Sequence, residues 1–249
     1  MTLRLETDGA TAHLLIDRAD KRNAFNQAMW LMLPGLVAQA VADPAVRVIV
    51  LRAAGDGAFC AGADIGEMMA NRDNAEWLAA NQAAINAAQY ELTRAAKPTI
   101  AFIDGDCIGG GCGLALACDI RVATPRARLG ITPAKLGLVY PLHDTKLLID
   151  LVGPGQARRI LYTGALLDAA EALRIGLVEQ LGADAEDLIA TIAGNSSFCA
   201  SGTKQFVRRV LDGQTDDDAD TLATFAAAFS GADFHEGASA FLAKRKPQF

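Results

Sequence analysis

The stretch from Lys97 to Asp119, K-P-T-I-A-F-I-D-G-D-C-I-G-G-G-C-G-L-A-L-A-C-D, constrains this chain more than any other. Its opening, Pro98 to Ile103, is short, apolar and led by proline, the pattern of a buried strand. Gly105 and the run Gly109–Gly110–Gly111 then permit a sharp turn and a close approach to other backbone. Cys112 to Cys118 is small, apolar and free of breakers, which predicts a short buried helix. A glycine turn feeding a helix leaves the first N–H groups without intrahelical partners, at the positive end of the macrodipole. Such a place binds a phosphate or polarises a carbonyl oxygen; alternatively it is a tight turn with no ligand. These glycines complete no G-x-G-x-x-G, no lysine follows as a phosphate-cradling loop requires, and no serine stands at a nucleophile elbow. What remains is an anion or oxyanion site made of backbone.

A chain of 249 residues, 51% hydrophobic and 21% charged, is long enough for one large domain or a core with an appendage. Its net charge of −6 argues against a nucleic-acid surface. The five cysteines, Cys60, Cys107, Cys112, Cys118 and Cys199, include no C-x-x-C pair and mostly have apolar neighbours. Reduced thiols and a cytoplasmic location are expected. The start, M-T-L-R-L-E-T, is no apolar signal segment, and no apolar run is long enough for a bilayer, so no membrane partner is expected. No His/Cys/Asp/Glu cluster has metal spacing, so no metal is expected.

In chain order, Leu3–Glu6 and Ala12–Asp17 read as strands joined at Asp8–Gly9. Asn26 can cap a helix reaching about Ala42, Val46–Arg52 is a buried strand, and Asn74–Ala95 is a long helix. Between the last two lies a second glycine-punctuated loop, A-A-G-D-G-A-F-C-A-G-A-D-I-G-E-M, residues 53–68. Ile120–Ala123 and Arg128–Ile131 are further strands, Pro133–Asp144 is a loop, and Thr145–Val152 and Gly155–Leu161 are helical. Asp168-x-x-Glu171 reads as a capping box whose helix stops at Gly176, and helices follow from Ala185 onward. The class is α/β, with a core over residues 1–190 and a helical region over 191–249.

F-C-A-G-A-D-I-G-E-M (Phe59–Met68) together with Lys97–Ile120 resembles the crotonase superfamily, the enoyl-CoA hydratase/isomerase family. R-N-A-F-N (Arg22–Asn26), L-L-D-A-A-E-A-L-R-I-G-L-V (Leu166–Val178) and the closing E-G-A-S-A-F-L-A-K-R-K-P-Q-F extend the resemblance across nearly the whole chain. It implies a spiral of ββα units, assembled as a trimer or dimer of trimers through the helical C-terminal region, and an acyl-CoA substrate. It implies that the backbone N–H groups of Ala63 and Gly110 hold the thioester carbonyl, with Ala61, Asp64, Ile65, Met68 and Gly109 around the substrate. Coenzyme A then enters only as part of the substrate.

The chain departs from that pattern at two positions. Hydratases of the family carry a glutamate where Gly113 stands and another where Ala134 stands. Hydration needs groups that activate water and deliver a proton, and neither glycine nor alanine does so. The loop Leu138–Asp144 offers Tyr140, His143 and Asp144 instead, and its T-P-A-K-L-G-L-V-Y form resembles that of the family's malonyl-type decarboxylases. Each has a plainer reading: Asp144 as a helix cap, His143 as a surface residue and Tyr140 as packing. The same holds for Asp64 and Glu67, which suit the first turn of a helix. Two functions remain open, an acyl-CoA enzyme working through loop residues and a catalytically silent acyl-CoA-binding protein.

Overall fold

The computed structural model describes residues 2–249. The chain opens with the hairpin β1 (Leu3–Asp8) and β2 (Thr11–Ile16), turning at Gly9 with φ +54°. Helix α1 (Gln27–Ala42) follows, with the Asn26 side chain accepting from the Met29 N–H at 3.1 Å, and leads to β3 (Val48–Ala53). Two more helices, α2 (Ile65–Ala70) and α3 (Ala75–Arg94), are capped in the same way by Asp64 and Asn74. The central stretch becomes β4 (Thr99–Ile103), β5 (Asp106–Ile108) and α4 (Gly110–Ala117). Beyond it come β6 (Ile120–Ala123), β7 (Arg128–Gly130), α5 (Leu142–Thr163), β8 (Leu166–Asp168), α6 (Ala169–Arg174) and β9 (Gln180–Leu181). Four helices close the chain: α7 (Glu186–Ala193), α8 (Ser197–Leu211), α9 (Ala219–Ser230) and α10 (Ala232–Leu242).

The strands form one sheet in the order β1-β2-β3-β4-β6-β9, parallel after the first hairpin, and a smaller sheet β5-β7-β8. Side chains of a strand alternate faces. On β3 and β4 that alternation sends Ile49, Leu51, Ala101 and Ile103 into the main core with α1, α3 and α4. Val48, Val50, Ile100 and Phe102 go to the other face, under Ala185 and Ile189. Both faces are covered, which is why these strands read as unbroken apolar runs. The chain passes from one sheet to the other at Gly105, where φ is +82° and a Cβ would overlap the Gly57 carbonyl oxygen.

The structure departs from the sequence-based expectations in the middle of the chain. The two helices expected over Thr145–Val152 and Gly155–Leu161 are halves of α5, kinked at Gly153, where φ is 72° and ψ 165°. This helix begins at Leu142, because Pro141 occupies its N-cap with φ −58°. His143 and Asp144 therefore lie in its first turn rather than on the preceding loop, and Asp144 is no cap. The Asp168 box is half made. Asp168 accepts from the Glu171 N–H at 2.8 Å, but the Glu171 carboxylate turns to Arg159 and Arg174. A box with both halves present, Asp218 with Thr221, starts α9.

Candidate active site

Two loops meet at the N-terminus of α4. Residues 59–64 run beside β5, held by the Cys60 N–H donating to Asp106 at 3.0 Å and the Ile108 N–H donating to Cys60 at 2.9 Å. Phe25 brackets the next turn: its N–H donates to the Gly62 carbonyl and its carbonyl accepts from the Asp64 N–H, both at 2.8 Å. The Ala63 N–H between them faces away from Phe25 and has no acceptor among the described residues. The Gly110 N–H, first of α4, has none either. A Cβ built on Gly110 would lie 3.4 Å from the Ala63 nitrogen, and one built on Gly62 would lie 3.3 Å from the Gly110 nitrogen. The two open donors are therefore neighbours, and both residues are partly exposed. At the other end of α4 the buried Arg121 donates to the carbonyls of Ala115 and Cys118. A cation thus satisfies the negative end of the helix while the positive end stays open.

Behind this turn stands Gly113. A Cβ there would sit 2.5 Å from Gln89 Nε2, 2.9 Å from Asp144 Oδ1 and 3.3 Å from Tyr140 Oη. The space that a side chain at 113 would enter is therefore filled from α3, from α5 and from the segment before α5. Tyr140 turns inward directly after two exposed residues, Leu138 and Val139, the latter 94% exposed. Its hydroxyl donates to the Gly109 carbonyl at 3.4 Å, an oxygen that also accepts from the Gly113 N–H and points the opposite way from the Gly110 N–H of the same trans peptide. Burial, and then the nearby Asp144, hold that hydroxyl well above the ordinary phenol value, so it stays protonated at neutral pH. Asp144 is 2% exposed, its Oδ1 has no hydrogen-bond partner among the described residues, and burial lifts its carboxyl to about 6 against an opposing pull from Gln89.

The remaining expected residues fall elsewhere. Burial, and then the charges of Arg208, Lys146 and Arg94, lower the His143 imidazole below its usual value, against an opposing pull from Asp212. The atoms nearest to a Cβ at Gly113 come from Gln89, Asp144 and Tyr140 and not from His143. The Asp64 carboxylate is engaged by Arg18 at 2.8 Å, which holds it below the usual carboxylate range, and it caps α2 as well. Glu67 accepts from the Gln27 N–H at 2.8 Å, tying α2 to α1. Ala61 and Gly109 flank the two open amides, Ile65 is exposed and Met68 half-buried on α2. Ala134 is exposed on the 3₁₀ turn Pro133–Leu136, and no carboxylate replaces it there. Gln89 is the residue that sequence reasoning passed over. Its signal was a polar side chain on the buried stripe Ala84, Ala88 and Leu92 of α3. Among the described residues no group of three or more His, Cys, Asp or Glu is placed to hold a metal ion, and no helix is long and apolar enough to cross a membrane.

The paired sheets, the bracketed Ala63 turn and the helical C-terminal region define a crotonase-type α/β fold. A solved structure from Hyphomonas neptunium, assigned to the enoyl-CoA hydratase/isomerase family, matches with a TM-score of 0.96 and 38% identity, over 100% of this chain and 97% of that one. The sequence model of that family, enoyl-CoA hydratase/isomerase, matches residues 6–249, and the chain belongs to it. The crotonyl-CoA hydratase of Syntrophomonas wolfei is 34% identical over 98% of this chain and 96% of its own length. The peroxisomal Delta(3,5)-Delta(2,4)-dienoyl-CoA isomerase of Arabidopsis thaliana is 30% identical over 99% and 95%.

Proposed function

We propose that this protein is an acyl-CoA enzyme that moves a proton at the α-carbon of a thioester, as in a double-bond shift or a decarboxylation of a malonyl-type ester. The Ala63 and Gly110 N–H groups accept the thioester carbonyl and carry the negative charge as the enolate forms. A preorganised donor of this kind typically contributes about 3 kcal/mol to the barrier. In a double-bond shift Tyr140 takes the α-proton while its own hydroxyl proton passes to the Asp144 carboxylate, and the reverse transfers protonate the γ-carbon. In a decarboxylation Tyr140 supplies a proton and Asp144 replenishes it. In a decarboxylation the C–C electron pair passes to the carbonyl oxygen as carbon dioxide leaves, and the Tyr140 proton then goes to the α-carbon.

The observation that carries this reading is the convergence of Tyr140 and Asp144 on the space at Gly113, in the first turn of the helix that begins with the open Gly110 amide. A protein that only bound acyl-CoA would need no buried carboxyl there, and burying one is costly. Hydration is disfavoured for a separate reason. It asks for a second group to activate water, and Ala134 has no carboxylate to offer.

The test is a panel of crotonyl-CoA, a 3-enoyl-CoA and a malonyl-type CoA ester, assayed with the wild type and with Tyr140→Phe. The expected result is slow or undetectable hydration of crotonyl-CoA and turnover of one of the other two. Tyr140→Phe should lower kcat by about 10²–10⁴-fold with KM little changed. Crotonyl-CoA hydration as the fastest reaction, unchanged in Tyr140→Phe and Asp144→Asn, would refute the proposal.

A further inference from the structure

We propose that Gln89 is the positioning residue of this site, an amide that holds the Asp144 carboxyl beside the Tyr140 hydroxyl in the space left by Gly113. The inference rests on the proton-transfer reading above. Gln89 is 1% exposed on a helix face whose other buried members are Asn81, Ala84, Ala88 and Leu92. A buried amide is unfavourable unless it is hydrogen-bonded, so packing alone gives no reason for it. Its Nε2 points at the same spot as Asp144 Oδ1 and Tyr140 Oη. Two buried acceptors in this small volume, Gln89 Oε1 and Asp144 Oδ1, have no partner within the described chain.

The residue type fits a carboxyl that changes its protonation state during turnover. An amide donates through Nε2 to an ionised Asp144 and accepts through Oε1 from a protonated one. A glutamate would add a like charge, and an aliphatic residue would serve neither state. The titratable groups facing this pair are few: Tyr140 and Asp144 face each other, and the thiols of Cys107 and Cys112 face Tyr140. Burial raises the Asp144 carboxyl, and Gln89 pulls it the other way.

Gln89→Met keeps the length of the side chain and removes both hydrogen-bonding atoms; Gln89→Leu serves as the second variant. The Asp144 carboxyl is followed by carbon-13 NMR titration in the substrate-free protein, with Asp144→Asn identifying its resonance. Loss of an amide donor to the ionised form should move the titration midpoint upward by about one pH unit. With an acyl-CoA substrate, kcat should fall about tenfold while KM holds, and the limb of the pH profile should move with the midpoint. Folded Gln89→Met and Gln89→Leu proteins that both titrate as the wild type does would overturn the proposal and leave Gln89 as packing. If instead Asp144→Asn keeps full turnover, the proton-transfer reading fails, and the NMR shift still decides whether Gln89 holds the carboxyl.

Discussion

Asp144 carries the clearest conflict between stability and chemistry in this chain. Its carboxyl titrates at about 6 in the folded protein, against an ordinary value of 3.8, because burial disfavours the charge. The folded state therefore binds the proton more tightly than the unfolded state, and stability falls as pH rises from about 4 through about 6. Above that window the buried carboxylate costs on the order of 3 kcal/mol relative to a neutral group. Asp144→Asn, which is neutral at every pH, should raise Tm at pH 8 by several degrees and change it little at pH 4. Thermal unfolding at the two pH values checks this. A variant no more stable than the wild type at pH 8 would mean that the carboxyl is not desolvated as its position implies. The same residue shows a limit of sequence reading. An aspartate ahead of a helical run is ordinarily a cap, and only the placement of Pro141 at the start of α5 moves Asp144 inside the helix.

The N-terminus of α4 was legible because its constraints are local. Gly109, Gly110 and Gly111 announce a close approach, and the apolar run after them announces a buried helix. Its partner was not derivable from residue chemistry alone, since Ala63 is a small residue on a distant loop with only its backbone N–H to offer. The resemblance of Phe59–Met68 to a family motif pointed to it. Gln89 stayed hidden for a different reason: what it faces is the absence of a side chain at 113, and an absence leaves no pattern. Two glycines of the helix give a paired prediction. Gly110 is the first helical residue, where proline is tolerated, so Gly110→Pro removes one donor at little cost to the helix. Thioester turnover should drop about 10²–10³-fold while Tm stays within a few degrees. At Gly111 a Cβ would overlap the Cys60 carbonyl oxygen, so Gly111→Ala should destabilise the protein by about 1–3 kcal/mol. Calorimetry and kinetics on both proteins separate the two roles, and a Gly110→Pro enzyme of full activity would remove that amide from the mechanism.

At the level of the whole molecule, the helical C-terminal region leaves a row of aromatic rings uncovered. Phe225, Phe229 and Phe234 stack edge to face with centroids 5.3 Å apart, yet each stays about half exposed, and Phe241 is 82% exposed. Phe249 does not belong to this row. Its ring packs near Gly237 and its carbonyl accepts from Arg47 at 2.7 Å. The tail cation Arg245 is likewise engaged within the chain, by Glu236 at 2.6 Å. An apolar patch of this kind is expected to be covered by further copies of the chain. The family resemblance implies a trimer or a dimer of trimers, so light scattering should give three or six times the chain mass of 26.1 kDa, and a monomer at micromolar concentration would contradict the assembly. The central claim concerns chemistry at the α-carbon, and deuterium exchange measures it directly. A saturated acyl-CoA such as butyryl-CoA, incubated with the enzyme in heavy water, should gain deuterium at its α-carbon well above the buffer rate. In Tyr140→Phe the exchange should fall at least about tenfold although the ester still binds. No exchange above buffer with the wild type, or equal exchange in both proteins, would contradict the account.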